Sequence, residues 1–420
     1  MGIGILIAGK TSSGAATLLG PLEAWFRKSC PELLEFAGAG TDASDRPALF
    51  VRLHPCAEDV EISAAGPDRL VVCAKTSTAG PGYHRYLCDL LKAAGAAQGV
   101  EWLPANDVEE TGDEAEYFHT GDGEAVDVHM RSWASGLARQ VLEMGREGCD
   151  SVAVSMPTGR QFEANGAAVT PMGPRDRAWF ATVAEDPDRA RDLFPWWSDG
   201  FDAGYYLGRA LARMWMDVSW RPPFDDEERA LLRNVADLLA SAWRLDKARA
   251  YPWREWREIL GYLGDPPRPE VEAGALTSTG PLVGYRRNRV RIVLPGGWSI
   301  RVPGSLKESM EDDGRWSAWE PGRTVWFTSF HFAPRDGRGA PAPESLLKDF
   351  DPGPGERITA VEGGTPGVAS FGRTEEDGRA LWRLQGRVAM PAHMGICDIF
   401  LESAGDRDWA VEVWRSLRRG

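Results

Sequence analysis

The chain has 420 residues, of which 43% are hydrophobic and 26% charged, with a formal net charge of −14. This length exceeds what one hydrophobic core supports, so two or three domains are expected, and the composition excludes a disordered or fibrous chain. Residues 285–420 are nearly balanced in charge, so the acidity sits in the first 284; such a surface repels phosphates, excludes nucleic acid as partner and suits a basic protein.

No stretch reaches the ~18 consecutive apolar residues of a membrane helix. Residues 1–8 lack a basic leader and meet Lys10, so they read as a first strand rather than a signal peptide. Cys30, Cys56, Cys73, Cys88, Cys149 and Cys397 form no CxxC pair. That spread suits reduced thiols in the cytoplasm and offers neither a disulfide framework nor the ligand spacing of a zinc site.

From the N-terminus, residues 3–8 read as a buried strand and 21–36 as a helix carrying Leu22, Trp25, Phe26 and Leu33. Strands follow at 48–53, 59–64 and 69–75, with Gly66-Pro67-Asp68 turning a hairpin between the last two. Helices are predicted over 83–97 and 124–146, separated by an acidic loop at about 104–122. Residues 151–155 read as a strand, and Asn165-Gly166 is a hairpin signal. The fold class expected is mixed α/β over 1–174.

Residues 175–264 have helical periodicity, with helices predicted at 201–218, 225–248 and 253–263 packed on that first domain. Eight of the 18 tryptophans fall between 179 and 256, and Gly204 and Gly208 are spaced for close helix packing. The segment 265–283 is rich in Pro, Gly and Thr and reads as a linker. An antiparallel α+β domain is expected over 284–420, with strands at 290–294, 298–302, 324–330, 380–390 and 396–402 and a helix at 407–418. Its Pro295-Gly-Gly-Trp298 opening, antiparallel strands and closing Trp414-Arg-Ser-Leu-Arg418 helix resemble the small domains of the Mog1/PsbP-like superfamily. The resemblance covers about a third of the chain. It implies a binding or assembly role and carries no catalytic residues.

Residues 4–11 satisfy the phosphate-loop expression GxxxxGK[ST], but only three residues precede Gly4 and the intervening positions are a strand-forming run. They are expected to be strand and turn. The segment from Lys75 to His84 is a better candidate for a ligand loop. A strand–turn–helix junction exposes backbone donors to an anion, and Lys75, Thr76, Ser77, Gly80, Gly82, Tyr83 and His84 supply hydroxyls, charge and a proton relay. The competing reading is a capped turn, since Ser and Thr cap helices and Gly and Pro shape turns.

His84 and Cys88 lie four apart and share a helical face, but two ligands make no metal site, and neither metal nor cofactor is expected. His54, His119 and His129 add no ligand spacing. A candidate partner surface comprises Asp107, Glu109, Glu110, Asp113 and Glu114 of the acidic loop together with Trp196 and Trp197. The aromatic run 195–206 is either such a patch or a plug between the sheet and the helices.

The function expected is that of a non-catalytic cytoplasmic protein that binds another protein, possible forms being a toxin-neutralising immunity protein or a secretion accessory factor. The alternative is an enzyme acting on an anionic small molecule at the Lys75–His84 loop.

Overall fold

The computed structural model describes all residues except 1, 107–110, 150–151, 157–161, 164–166, 334–338, 349, 351–354, 361–364, 377 and 420. The chain divides into two compact units, Met1–Val218 with Pro222–Gly284, and Ser219–Arg221 with Tyr285–Gly420. Helices and antiparallel sheets are mixed, as the fold class requires. Among the described residues no helix is long and apolar enough to cross a membrane.

The first unit opens with β1 (Gly4–Thr11), α1 (Ala15–Ser29), β2 (Phe36–Thr41), β3 (Pro47–Arg52), β4 (Val60–Ala64), β5 (Arg69–Lys75), α2 (Pro81–Gln98), β6 (Val100–Trp102) and β7 (Gly112–Asp113). These strands form one sheet in the order β2-β3-β4-β5-β1-β6, with β7 also paired to β1, and every pairing is antiparallel. Alternation sets one face: Ile5, Ile7, Leu49, Val51, Ile62 and Val72 point into the core against Leu18, Leu22 and Phe26 of α1 and Leu87 and Leu91 of α2. Full burial of a side chain such as Phe26 contributes about 1.5–3 kcal/mol. The expected hairpin at 66–68 is present, joining β4 to β5 with Ala64 opposite Leu70. The phosphate-loop string is β1 itself, hydrogen-bonded to neighbours along its length, so no loop exists there to wrap a phosphate.

Helix α1 starts six residues before the predicted position and carries Pro21 inside it. The buried stripe Ala15, Leu18, Leu19, Leu22 and Phe26 holds the helix across the hydrogen bond that Pro21 removes.

There follow α3 (Tyr117–Thr120), α4 (Gly123–Arg146), β8 (Val152–Ala153), β9 (Ala167–Val169), β10 (Arg175–Asp176) and α5 (Arg177–Glu185), then α6 (Ala203–Met216), α7 (Asp226–Leu245), α8 (Trp253–Leu263) and α9 (Pro269–Thr277). The Asn165-Gly166 hairpin signal lies outside the described residues. Asp202 caps α6 by accepting from Tyr205 N at 2.8 Å, and Asp225 caps α7 by accepting from Glu228 N at 3.0 Å. Gly208 gives α6 its close approach, because a Cβ there would stand 1.9 Å from the Pro195 carbonyl oxygen.

The predicted linker 265–283 is corrected by α9. Val271 and Ala275 are buried, and a Cβ on Gly274 would lie 2.3 Å from the Trp253 ring, so small residues let this helix pack on α8. A stretch poor in large apolar residues still folds here, because Trp253 supplies the contact surface.

The second unit holds β11 (Arg289–Leu294), β12 (Trp298–Pro303), β13 (Lys307–Met310), β14 (Trp316–Glu320), β15 (Arg323–His331), α10 (Pro343–Lys348), β16 (Glu356–Ala360), β17 (Gly367–Glu376), β18 (Arg379–Met390), β19 (His393–Leu401), α11 (Arg407–Arg415) and β20 (Arg418–Arg419). A seven-stranded antiparallel sheet runs β13-β14-β15-β19-β18-β17-β16, beside a three-stranded sheet β11-β12-β20. Val325, Phe327, Leu384, Ile399 and Leu401 form its inner face, with Trp298 ringed against Phe327 at 6.2 Å. Trp414 of α11 packs onto neighbouring strands where Gly367 and Gly386 leave room; a Cβ on Gly386 would sit 2.3 Å from the indole nitrogen.

Candidate functional site

The Lys75–His84 segment joins β5 to α2, as its sequence suggests, but its polar groups turn inward. Thr76 N and Ser77 N both donate to the Ile3 carbonyl, at 2.9 and 3.2 Å, and Ile3 N donates to Ser77 Oγ at 3.1 Å. The turn therefore ties down the start of β1. Neither hydroxyl caps α2, which has no side-chain cap at all. The helix N-terminus is instead closed by residues 194–198: Gly82 N donates to the Trp196 carbonyl at 3.1 Å and Trp196 N donates to Ala79 O at 3.0 Å. Gly80, at φ 114°, needs a backbone conformation that favours glycine. A Cβ on Gly82 would fall 2.3 Å from Ser198 O and 2.5 Å from Trp196 Cδ1. These glycines make room for Trp196. The anion-binding expectation for this turn is corrected on that ground, since Thr76, Ser77, Tyr83 and His84 are all fully buried.

His84 connects the turn to the acidic loop. Its Nδ1 lies 2.8 Å from Thr76 Oγ1, which is itself 3.2 Å from the Ile3 carbonyl. Its Nε2 lies 3.0 and 3.1 Å from the two carboxylate oxygens of Asp113 on β7. Asp113 also accepts from Ala115 N at 2.9 Å and Phe118 N at 2.8 Å. Burial raises the Asp113 carboxyl, but hydrogen bonds from His84, Phe118 and Ala115 outweigh it and hold the group below the usual carboxylate value. Cys88, one helical turn after His84, places Sγ 4.0 Å from an Asp113 oxygen, and burial pushes its thiol far up.

Carboxylate, imidazole and hydroxyl in this order form a proton relay in outline. The Thr76 hydroxyl nevertheless donates to the Ile3 carbonyl and has no exposed surface. The arrangement pins α2, β7 and the start of β1 together. It also supplies the third ligand type that the sequence could not show: His84, Cys88 and Asp113 each offer a ligand atom, all within 4.8 Å of one another.

Asp113 and Trp196 were expected on a partner surface and belong instead to the interior. The Asp113 carboxylate is enclosed beneath β1, opposite Ile5. Trp196 has no exposed surface and packs among Tyr205 at 4.5 Å, Tyr86 at 5.2 Å, Phe201 at 5.7 Å and Tyr83 at 6.0 Å. The aromatic run is thus the plug between sheet and helices. Trp197 is half-buried under Arg191, and Glu114 is exposed. Asp107, Glu109 and Glu110 lie outside the described residues.

Lys75 pairs with Glu58 at 3.1 Å on the rim of an open cavity of about 1140 Å³ on the sheet's other face. Leu6, Cys73 and Trp102 form its apolar wall, and Glu114, Glu116 and His119 its polar side.

In the second unit, register defines an outer sheet face that sequence reading overlooked. Residues opposite one another in antiparallel strands share a face, so Trp319, Thr324, Phe400 and Arg383 form one row. Ser317, Trp326, Asp398 and Gln385 form the next, and Phe330 stands opposite Met394. Phe330 is 47% exposed and Trp319 36%, while Arg383 bonds Asp398 at 2.9 Å and lies over the Phe400 ring. Alternation of Trp326, Thr328 and Phe330 with Val325, Phe327 and Ser329 was legible; which face stays open was not.

No family model matches the sequence, and no curated protein matches it. Among solved structures, a protein from Bacteroides thetaiotaomicron VPI-5482 is similar over 32% of this chain and 49% of its own, at 16% identity and a TM-score of 0.26. The chain thus spans about half the length of that protein. A Pseudomonas aeruginosa protein of unknown function, PA94, described as a putative regulator, is similar over 30% of this chain and 90% of its own, at 16% identity and a TM-score of 0.16. Similarity this low carries no argument about the site.

Proposed function

We propose that this is a non-catalytic protein that binds another protein through the outer face of the seven-stranded sheet in its second unit. The observation that supports this most directly is that aromatic and arginine side chains share this face, Trp319, Phe400 and Arg383 in one row, Trp326 in the next and Phe330 farther along the same strand, with Trp319 36% and Phe330 47% exposed. Trp and Arg are the side chains that most often dominate binding energy, and a rigid sheet presents them at little entropic cost. The resemblance of this third of the chain to Mog1/PsbP-like domains, largely binding or assembly factors, points the same way. An immunity protein or a secretion accessory factor is the specific form we favour, with the acidic first unit suited to steering a basic partner.

The enzyme reading has weaker support. Thr76, Ser77 and His84, its motivating residues, are buried and already bonded to Ile3 and Asp113. Side-chain footprinting of the chain bound to its partner tests the proposal. Protection of Trp319, Trp326 and Phe330 is expected, and unchanged labelling at all three would contradict it.

A further inference from the structure

We propose that His84, Cys88 and Asp113 form a binding site for one divalent transition cation of the zinc type. Nothing in the protein-binding reading requires it.

The donor set is one imidazole nitrogen, one sulfur and one carboxylate, a combination that favours zinc over magnesium or calcium. In a tetrahedral zinc site with bonds of about 2.0–2.3 Å, neighbouring ligand atoms stand about 3.3–3.6 Å apart. The Nε2-to-carboxylate separation is 3.0 Å, the Sγ-to-carboxylate separation is 4.0 Å, and all three ligand atoms lie within 4.8 Å of one another, so shifts of up to about 1 Å would admit the ion. His84 and Cys88 are held one turn apart on α2, and Asp113 is brought to them by β7.

The surrounding groups fit the same purpose. A zinc-bound imidazole is normally oriented by a hydrogen bond at its other nitrogen, and Thr76 Oγ1 stands 2.8 Å from His84 Nδ1. The Asp113 carboxylate is oriented by Ala115 N and Phe118 N. Binding releases the Cys88 thiol proton to solvent and moves the proton that His84 Nε2 gives Asp113 to Nδ1, opposite Thr76 Oγ1; the fourth position is left to water or the second carboxylate oxygen. Access runs past β7, a two-residue strand on the sheet edge whose backbone borders the open cavity, with Glu114 and Glu116 drawing cations to its mouth.

The test uses the full chain, stripped with a chelator and titrated with Zn²⁺ by calorimetry and with Co²⁺ by absorption. One ion per chain is expected, with a sulfur-to-cobalt charge-transfer band. Cys88→Ala removes the band, whereas Cys73→Ala, at an exposed thiol, leaves it. Thr76→Val weakens binding ~10–100-fold, as loss of an orienting partner does. Absence of stoichiometric binding, an ion bound without the sulfur band, or a band lost in Cys73→Ala would each overturn the site. If Cys88→Ala fails to fold, Asp113→Asn and Cys88→Ser serve in its place, and undiminished Zn²⁺ affinity in either would likewise overturn it.

Discussion

His84 Nε2 lies 3.0 Å from the carboxylate of Asp113, with both side chains fully buried although 29 residues separate them in sequence. This contact joins the histidine of the β5–α2 junction to a residue on β7, between Gly112 and the exposed Glu114. Asp113→Ala would leave three buried donors, His84 Nε2, Ala115 N and Phe118 N, without their acceptor. Each unsatisfied buried donor costs about 1–3 kcal/mol, so urea denaturation is expected to show a loss of at least ~3 kcal/mol. A loss below ~1 kcal/mol would mean that the pin contributes little.

Gly82→Ala tests the packing of Trp196 on α2. The added Cβ would overlap Ser198 O and the indole at separations of 2.3 and 2.5 Å, and overpacking of this kind costs about 1–3 kcal/mol. The shift in denaturation midpoint should exceed that of Gly20→Ala, where nothing lies within 4 Å of the new Cβ.

Glu35 links the sheet to α6. It accepts from Arg209 and, at 2.6 and 2.7 Å, from Arg213, and the Arg209 side chain is only 3% exposed. Glu35→Gln removes the charge that balances this buried guanidinium, and breaking a buried pair costs about 3–5 kcal/mol. Thermal melting of this variant should fall well below wild type, and an unchanged melting temperature would show the pair to be dispensable.

His54 makes stability depend on pH. It is buried beside Tyr83 and Trp196 and accepts from Cys56 N at Nδ1; burial first, then the positive charges of Arg209 and Arg213, hold it well below its ordinary 6.5. Its folded value lies below its unfolded one, so as pH falls the unfolded chain takes up the proton first. The contribution to stability is complete above about 6.5 and is lost progressively below it. Denaturation midpoints measured from pH 8 to 5 should decline below 6.5, and the decline should be shallower in His54→Asn.

Much of the architecture is legible in the sequence wherever periodicity meets a strong cap or turn. Helix α8 matches its predicted 253–263 span, and α6 and α7 begin at Asp202 and Asp225, which accept from the first turn. Strand β17 is not legible: Gly367 and Gly372 break its pattern, yet Gly367 is needed where Trp414 presses on the sheet. Likewise α9 has too little apolar content to announce itself, because its partner Trp253 provides the surface.

The candidate site divides in the same way. Residue types marked the β5–α2 turn correctly as unusual, but the reason lies in distant partners, Ile3, Asp113 and Trp196, that no local spacing encodes. Cys88 and His84 were visible as an i, i+4 pair; their third companion required the fold. The outer sheet face of the second unit depends on which strands pair, so alternation alone left its open side undetermined.

Affinity capture from the native host, comparing wild type with a Phe330→Asp, Trp319→Ser double variant, tests the central claim most directly. Wild type should retain one protein at equal stoichiometry that the folded double variant releases. Retention of the same protein by both, or no stoichiometric partner for wild type, would contradict the proposal that this sheet face is the binding surface.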